Sequence, residues 1–152
     1  MGHLLRKKAW IAGLLLLLVA TAGLYFLRRE TYFLNKNVRL VSLRLFTFQK
    51  LSHHQSYRYK MQFHKDHYKF FVFAPSQEME WKEVKTFRYE DSIETSMPGF
   101  ALEIDRGIIV SYDWPEGGRI VRANFVLSFF AGKAASKKSG ILFSKDGSWR
   151  AL

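Results

Sequence analysis

Residues 9–27 read AWIAGLLLLLVATAGLYFL, 19 consecutive positions without a charge. At 1.5 Å per residue, a helix of this length nearly crosses a ~30 Å hydrocarbon layer. Arg6, Lys7 and Lys8 precede the run, and Arg28 and Arg29 follow it. The pattern predicts one transmembrane helix over 9–27 behind a basic, leader-like segment over 1–8. A cleaved secretory signal has the same basic start and apolar core, and Thr21-Ala22-Gly23 mimics its small-residue cleavage site. The length of the run and its continuation as a helix favour an anchor that is kept. Bases on both sides leave the positive-inside rule undecided. A short N-terminal tail is easier to leave in the cytoplasm than the 125 residues that follow, so the expected topology is N-terminus in and C-terminal portion out.

The helical pattern continues past Leu27. No proline occurs before Pro75, so nothing forces a stop at the membrane surface. Leu34, Val38, Val41, Leu45 and Phe48 are spaced by 4, 3, 4 and 3, which gathers them into one stripe for burial. Arg28, Arg39 and Lys50 fall on roughly the opposite side. An amphipathic helix over 28–54 is predicted to continue the membrane helix, reaching about 65 Å from Trp10 to Ser52 at the standard rise. Phe33, Leu40, Leu43 and Phe46 lie off the stripe, and some of them should meet another molecule or a sheet.

After His54 the period changes from helical to alternating. Tyr57–Phe63 alternates apolar and polar residues, Tyr68–Phe73 follows, and 64–67 joins them as a turn. Tyr57, Tyr59, Met61 and Phe63 should face a core, with Arg58, Lys60 and Gln62 facing water. Further strands are expected over Glu80–Phe87, Gly107–Tyr112, Ile120–Phe130, Gly140–Ser144 and Ser148–Leu152. They are rich in β-branched and aromatic residues and are punctuated by Pro98-Gly99, Pro115–Gly118 and Asp146-Gly147. The expected fold is α+β: a long N-terminal helix, half membrane-spanning and half amphipathic, packed on a small antiparallel β domain over 55–152.

The formal net charge of +11 is unevenly spread. Residues 1–8 carry +3, 28–58 carry +6, and 59–152, with 14 bases and 12 acids, only +2. Most of the surplus flanks the apolar run, where anionic lipid headgroups would meet it. The absence of cysteine excludes disulfides, thiolate zinc sites, iron–sulfur clusters and cysteine nucleophiles.

Candidate chemistry is sparse. His64 and His67 straddle a turn with Asp66, and His53 and His54 close the helix; their spacing matches no metal-site class, and we expect a polar turn and a helix end whose dipole favours cations. No phosphate loop, nucleophile elbow or HExxH is present, and Asp105, Asp113 and Glu116 read as loop and turn residues. No enzyme, metal or cofactor is expected. Aromatics and bases interleave around Arg58 and Lys60, and Lys133, Lys137 and Lys138 cluster in a predicted loop. Both are candidate nucleic-acid contacts.

Leu43–Lys50 followed by Tyr57–Phe63 resembles the end of the long helix and the first strand of pseudopilin H and the T-type minor pilins, within the type IV pilin-like family. Phe129-Phe130-Ala131-Gly132, Ala135-Ser136, Ser139–Phe143 and Asp146-Gly147 resemble that family's closing strands. The resemblance covers nearly the whole chain through order and spacing rather than tight motifs. It implies a minor subunit of a type II secretion or type IV pilus-type assembly in a bacterial inner membrane, with its β domain in the periplasm. Leu14 to Val19 (Leu14, Leu15, Leu16, Leu17, Leu18, Val19) would pack against other pilin-like subunits, and the β domain would touch neighbours or secreted cargo. It also implies peptidase cleavage between Ala9 and Trp10. In that register Ala9 replaces the usual glycine, Trp10 the usual phenylalanine, and Leu14 stands where family members carry a glutamate. The alternatives from other classes are a single-pass membrane protein with a periplasmic interaction domain and a DNA-binding minor pilin.

Overall fold

The computed structural model describes residues 2–55, 57–74, 80–90, 92–120, 123–131 and 137–152. A single helix, α1 (Gly2–His54), runs unbroken for 53 residues. It starts within the leader-like segment, so 2–8 continue the membrane run without a break. Leucine, alanine, lysine and arginine dominate it, and no proline interrupts its hydrogen-bond ladder. His53 and His54 occupy the last turn, where the helix dipole favours positive charge.

Among the described residues the chain then forms ten antiparallel strands in two sheets. The larger sheet has the order β3-β2-β1-β5-β6-β7, built from β1 (Arg58–Phe63), β2 (His67–Phe73), β3 (Trp81–Arg88), β5 (Ala101–Asp105), β6 (Ile108–Asp113) and β7 (Arg119–Ile120). The smaller has the order β10-β9-β8-β4, from β4 (Ile93–Thr95), β8 (Phe125–Ala131), β9 (Lys137–Phe143) and β10 (Trp149–Ala151). The C-terminal half of α1 lies against β1, β5 and β6 of one sheet and β8, β9 and β10 of the other.

The core forms where these three layers meet. Leu34, Val38, Val41 and Leu45 are buried, and Phe48 stacks on Phe70 of β2 with ring centroids 3.7 Å apart. Between the sheets, Phe63 meets Phe129 edge-on at 6.4 Å and Tyr112 meets Phe143 at 5.9 Å. Alternation explains β1, where Tyr59, Met61 and Phe63 are buried and the residues between them are half-exposed.

Polar contacts pin the end of α1. Gln49 donates through Nε2 to the Gly107 carbonyl at 3.2 Å and accepts from Trp149 Nε1 at 2.8 Å. The Gly107 amide donates to Ser52 Oγ at 3.2 Å. Gly107 has φ +79°, and a Cβ there would lie 3.1 Å from the His53 Cβ. Gly107→Ala should therefore lower stability by about 1–2 kcal/mol through left-handed strain alone, with crowding added. Chemical denaturation of the full chain in detergent would measure it, and an unchanged midpoint would remove this turn from the docking account.

Several elements differ from the sequence reading. Asp105 ends strand β5 and Asp113 ends β6, whereas only Glu116 lies in a turn. β5 escaped notice because Glu103 and Asp105 have low strand propensity, yet Leu102 and Ile104 point into the core. β4 is only three residues long and carries too little pattern to read. The single strand expected over Ile120–Phe130 is two, because β7 belongs to the larger sheet and β8 to the smaller. Tyr57 precedes β1 and is exposed rather than core-facing.

Candidate functional site

The two halves of α1 present opposite surfaces. From Leu14 to Val19 every side chain is between 57% and 73% exposed, and Leu24 to Leu27 are comparably open. The helix is long and apolar enough to cross a membrane once. Its polar Thr21 is internally satisfied, donating to the Leu17 carbonyl at 2.8 Å. Such back-bonding is how a hydroxyl is accommodated in hydrocarbon. Ala9 and Trp10 lie inside this exposed helix and, with Gly13, Leu14 and Leu17, line a shallow groove.

In the second half, the stripe Leu34, Val38, Val41 and Leu45 is buried in the β domain, with Phe48 partly buried beside it. Phe33 also packs on the core, whereas Leu43 and Phe46 remain exposed on the outward side, with Arg39 and Lys50 near them. Two cations on α1 tie the helix to the larger sheet and its flank. Lys36 pairs with Glu90 at 3.0 Å, and this hydrogen bond raises the Lys36 pKa. The Arg44 guanidinium sits 3.7 Å from the Phe87 ring centroid and donates to the Tyr68 hydroxyl. Burial pushes the Tyr68 phenol above its ordinary pKa, partly opposed by Arg44.

The nucleic-acid candidates do not converge. Arg58 and Lys60 lie on the face of the larger sheet turned away from α1. Arg58 donates to Glu103 Oε2 at 2.7 Å, and Lys60 lies over the rings of Phe71 and Trp81 at 5.0 and 4.7 Å. Lys137 and the exposed Lys138 belong to β9 of the other sheet. Lys133 lies outside the described residues.

Sequence reasoning missed the centre of this outer face. Glu103 is only 6% exposed and accepts from both Arg58 and Arg119 at 2.7 Å, and Arg119 also donates to Ser111 Oγ at 2.9 Å. A carboxylate at an outward position between Leu102 and Ile104 was the available signal. Its two arginine partners are 45 and 16 residues away in sequence, so only the sheet brings the three together.

His64 and His67 stack with ring centroids 4.4 Å apart at the tip of the β1–β2 hairpin. His67 Nδ1 lies 2.7 Å from Asp66 Oδ1, while His64 Nε2 is buried without a hydrogen-bond partner among the described residues. His53 and His54 contact each other at the helix end. Among the described residues no group of three or more histidine, aspartate or glutamate side chains is arranged to hold a metal.

Burial, then the neighbouring His67 and Lys69, lowers the His64 pKa, with Asp66 and Glu83 opposing weakly. The unfolded chain therefore binds more protons at this site than the folded one as pH falls through about 6.5, and folding stability drops. Asp66, whose pKa is lowered by its bond to His67, remains ionised at that pH and adds no slope. The full chain should melt at a lower temperature at pH 5.5 than at pH 7.5, and His64→Gln should reduce the difference. Equal pH dependence in the two proteins would assign it to other groups.

No family model matches the sequence, and neither does any curated protein sequence. The structure is similar to that of the minor pseudopilin EpsH from the type 2 secretion system of Vibrio cholerae, with a TM-score of 0.58 and 10% identity over 78% of this chain and 95% of that one. What the two share is the fold: a long N-terminal helix on antiparallel sheets, in the α+β, pilin-like arrangement.

Proposed function

We propose that the chain is a non-enzymatic, pilin-like minor subunit, a pseudopilin, of a type II secretion or type IV pilus-type assembly. One observation carries this reading. A single unbroken helix has its apolar stretch, residues 9–27, exposed and its second half packed on a two-sheet domain with the fold of a minor pseudopilin. In this reading the exposed half holds the protein in a bacterial inner membrane with its N-terminus cytoplasmic and its β domain periplasmic. Leu14 to Val19 then pack against helices of other pilin-like subunits, and the β domain meets neighbours or secreted cargo. Docking through Leu34, Val38, Val41, Leu45 and Phe48 makes helix and β domain move as one body, so helix packing alone fixes where the domain stands.

Leu14 favours a second reading. A carboxylate in the apolar run would need a charged partner to offset its desolvation, and leucine imposes no such requirement. A single-pass membrane protein with a periplasmic interaction domain needs neither that partner nor cleavage.

The mass and N-terminal sequence of the protein from native membranes separate these readings. A start at Trp10, with an N-methyl group, is the expected result. A single cysteine at Leu17, in a chain that otherwise has none, should then form disulfide crosslinks to another subunit. An uncleaved start without crosslinks would transfer the chain to the second reading, and a start after about residue 22 would make it a secreted domain.

A further inference from the structure

We infer that the groove between α1 and the smaller sheet, at the membrane-facing end of the β domain, binds the headgroup of an anionic phospholipid. The groove is lined by Thr31, Leu34 and Asn35 of α1, Val126 of β8, Lys138 of β9, and Leu152. Thr31 is four residues beyond Leu27, the last residue of the apolar run, so the opening stands about 6 Å above it along the helix axis. That height is the glycerol and phosphate layer of a bilayer whose hydrocarbon ends near Leu27. The inference rests on the helix spanning a membrane.

Three features select a lipid as the occupant. Leu24, Leu27, Thr31 and Leu34 follow spacings of 3, 4 and 3, so the floor of the groove continues downward as one apolar helix face along which an acyl chain can lie. Val126 and Leu152, 41% and 59% exposed at the groove, leave apolar surface open where a water-soluble domain would gain nothing from it. The charged side chain at the rim is a cation: Lys138 is exposed and pairs with no carboxylate among the described residues. Asn35 adds an amide at the rim, whereas the Thr31 and Ser139 hydroxyls donate to the Leu27 and Leu152 carbonyl oxygens.

The test uses the full chain in vesicles containing phosphatidylcholine and phosphatidylglycerol, with the photocrosslinker p-benzoylphenylalanine placed at Val126, at Leu17 or at Ile108. Val126 should crosslink to lipid and enrich phosphatidylglycerol about fivefold over its share of the bilayer, the effect of one cation near the membrane surface. Lys138→Gln should return that ratio to the bulk value. Ile108, at the start of β6 beside the end of α1, should yield no lipid adduct. Leu17 should crosslink to lipid without headgroup preference. Adducts at Leu17 with none at Val126, or adducts at Val126 in bulk proportion, overturn the headgroup site alone. Absence of lipid adducts at both positions overturns the membrane span on which it rests. Loss of the enrichment in millimolar inorganic phosphate would make the groove a site for free phosphate and overturn the commitment to lipid.

Discussion

Val41→Asp should separate the helix from its domain and cost about 4 kcal/mol or more of folding free energy, enough to unfold much of a domain of this size. Val41 is fully buried at the centre of the stripe, between Val38 and Leu45 and within the apolar core, with the buried Asn37 amide one turn away. A carboxylate placed there would have to protonate or bring water in with it. The variant carries its own internal check. A buried carboxyl holds its proton to higher pH when folded than when unfolded, so the folded state binds more protons and stability falls as pH rises above about 4. Arg39→Asp, two residues away on the exposed side, should change stability by only about 0.5 kcal/mol. Near-UV circular dichroism and limited proteolysis of the full chain in detergent would compare the three proteins. A Val41→Asp chain as protease-resistant as the parent would show that the helix does not need this stripe to hold the domain.

The second large effect is expected at Phe70. Its side chain is fully buried, stacks on Phe48, and contacts Phe87 and Tyr68 edge-on at 5.7 and 6.0 Å. Phe70→Ala removes a ring that joins α1, β2 and β3, and should cost about 3–5 kcal/mol. Phe48→Ala should cost less because Phe48 is only partly buried. The double variant should reveal a coupling of about 0.5–1.5 kcal/mol beyond shared area, the usual worth of a specific ring pair. Denaturant unfolding of the four proteins closes the cycle. Strict additivity would mean that the two rings fill space independently and that the stacked geometry contributes nothing of its own.

Both variants act on the junction that makes the proposed function mechanical. The exposed half of α1 and the β domain share one uninterrupted helix, so a displacement at Leu17 is passed to the sheets only while Val41 and Phe48 remain seated. Lys36–Glu90, Arg44 over Phe87 and the Gln49–Trp149 bond spread that attachment along more than three turns of helix.

Similarity of fold at 10% identity fits the kind of information the chain carries. The resemblance in the sequence lay in order and period: an apolar run, a stripe at helical spacing, then alternating strands. Many different residues satisfy those requirements, provided each period matches its element.

Local order alone determined the long helix, its apolar half and its buried stripe. Helical burial repeats every three or four residues, and the absence of proline to Pro75 leaves the ladder intact, so Leu34, Val38, Val41 and Leu45 were legible without a partner in view. The β1–β2 hairpin was legible for the same reason at period two. Tertiary structure alone decided that the β domain is two sheets, that Ala101–Asp105 is an inner strand, and that Glu103 gathers Arg58 and Arg119. It also decided that Lys138 stands beside Thr31 and Asn35 at the helix. Sheet order and cross-strand partners depend on contacts between residues tens of positions apart, and a short strand with two acids has no period of its own by which to declare which neighbours will bury it.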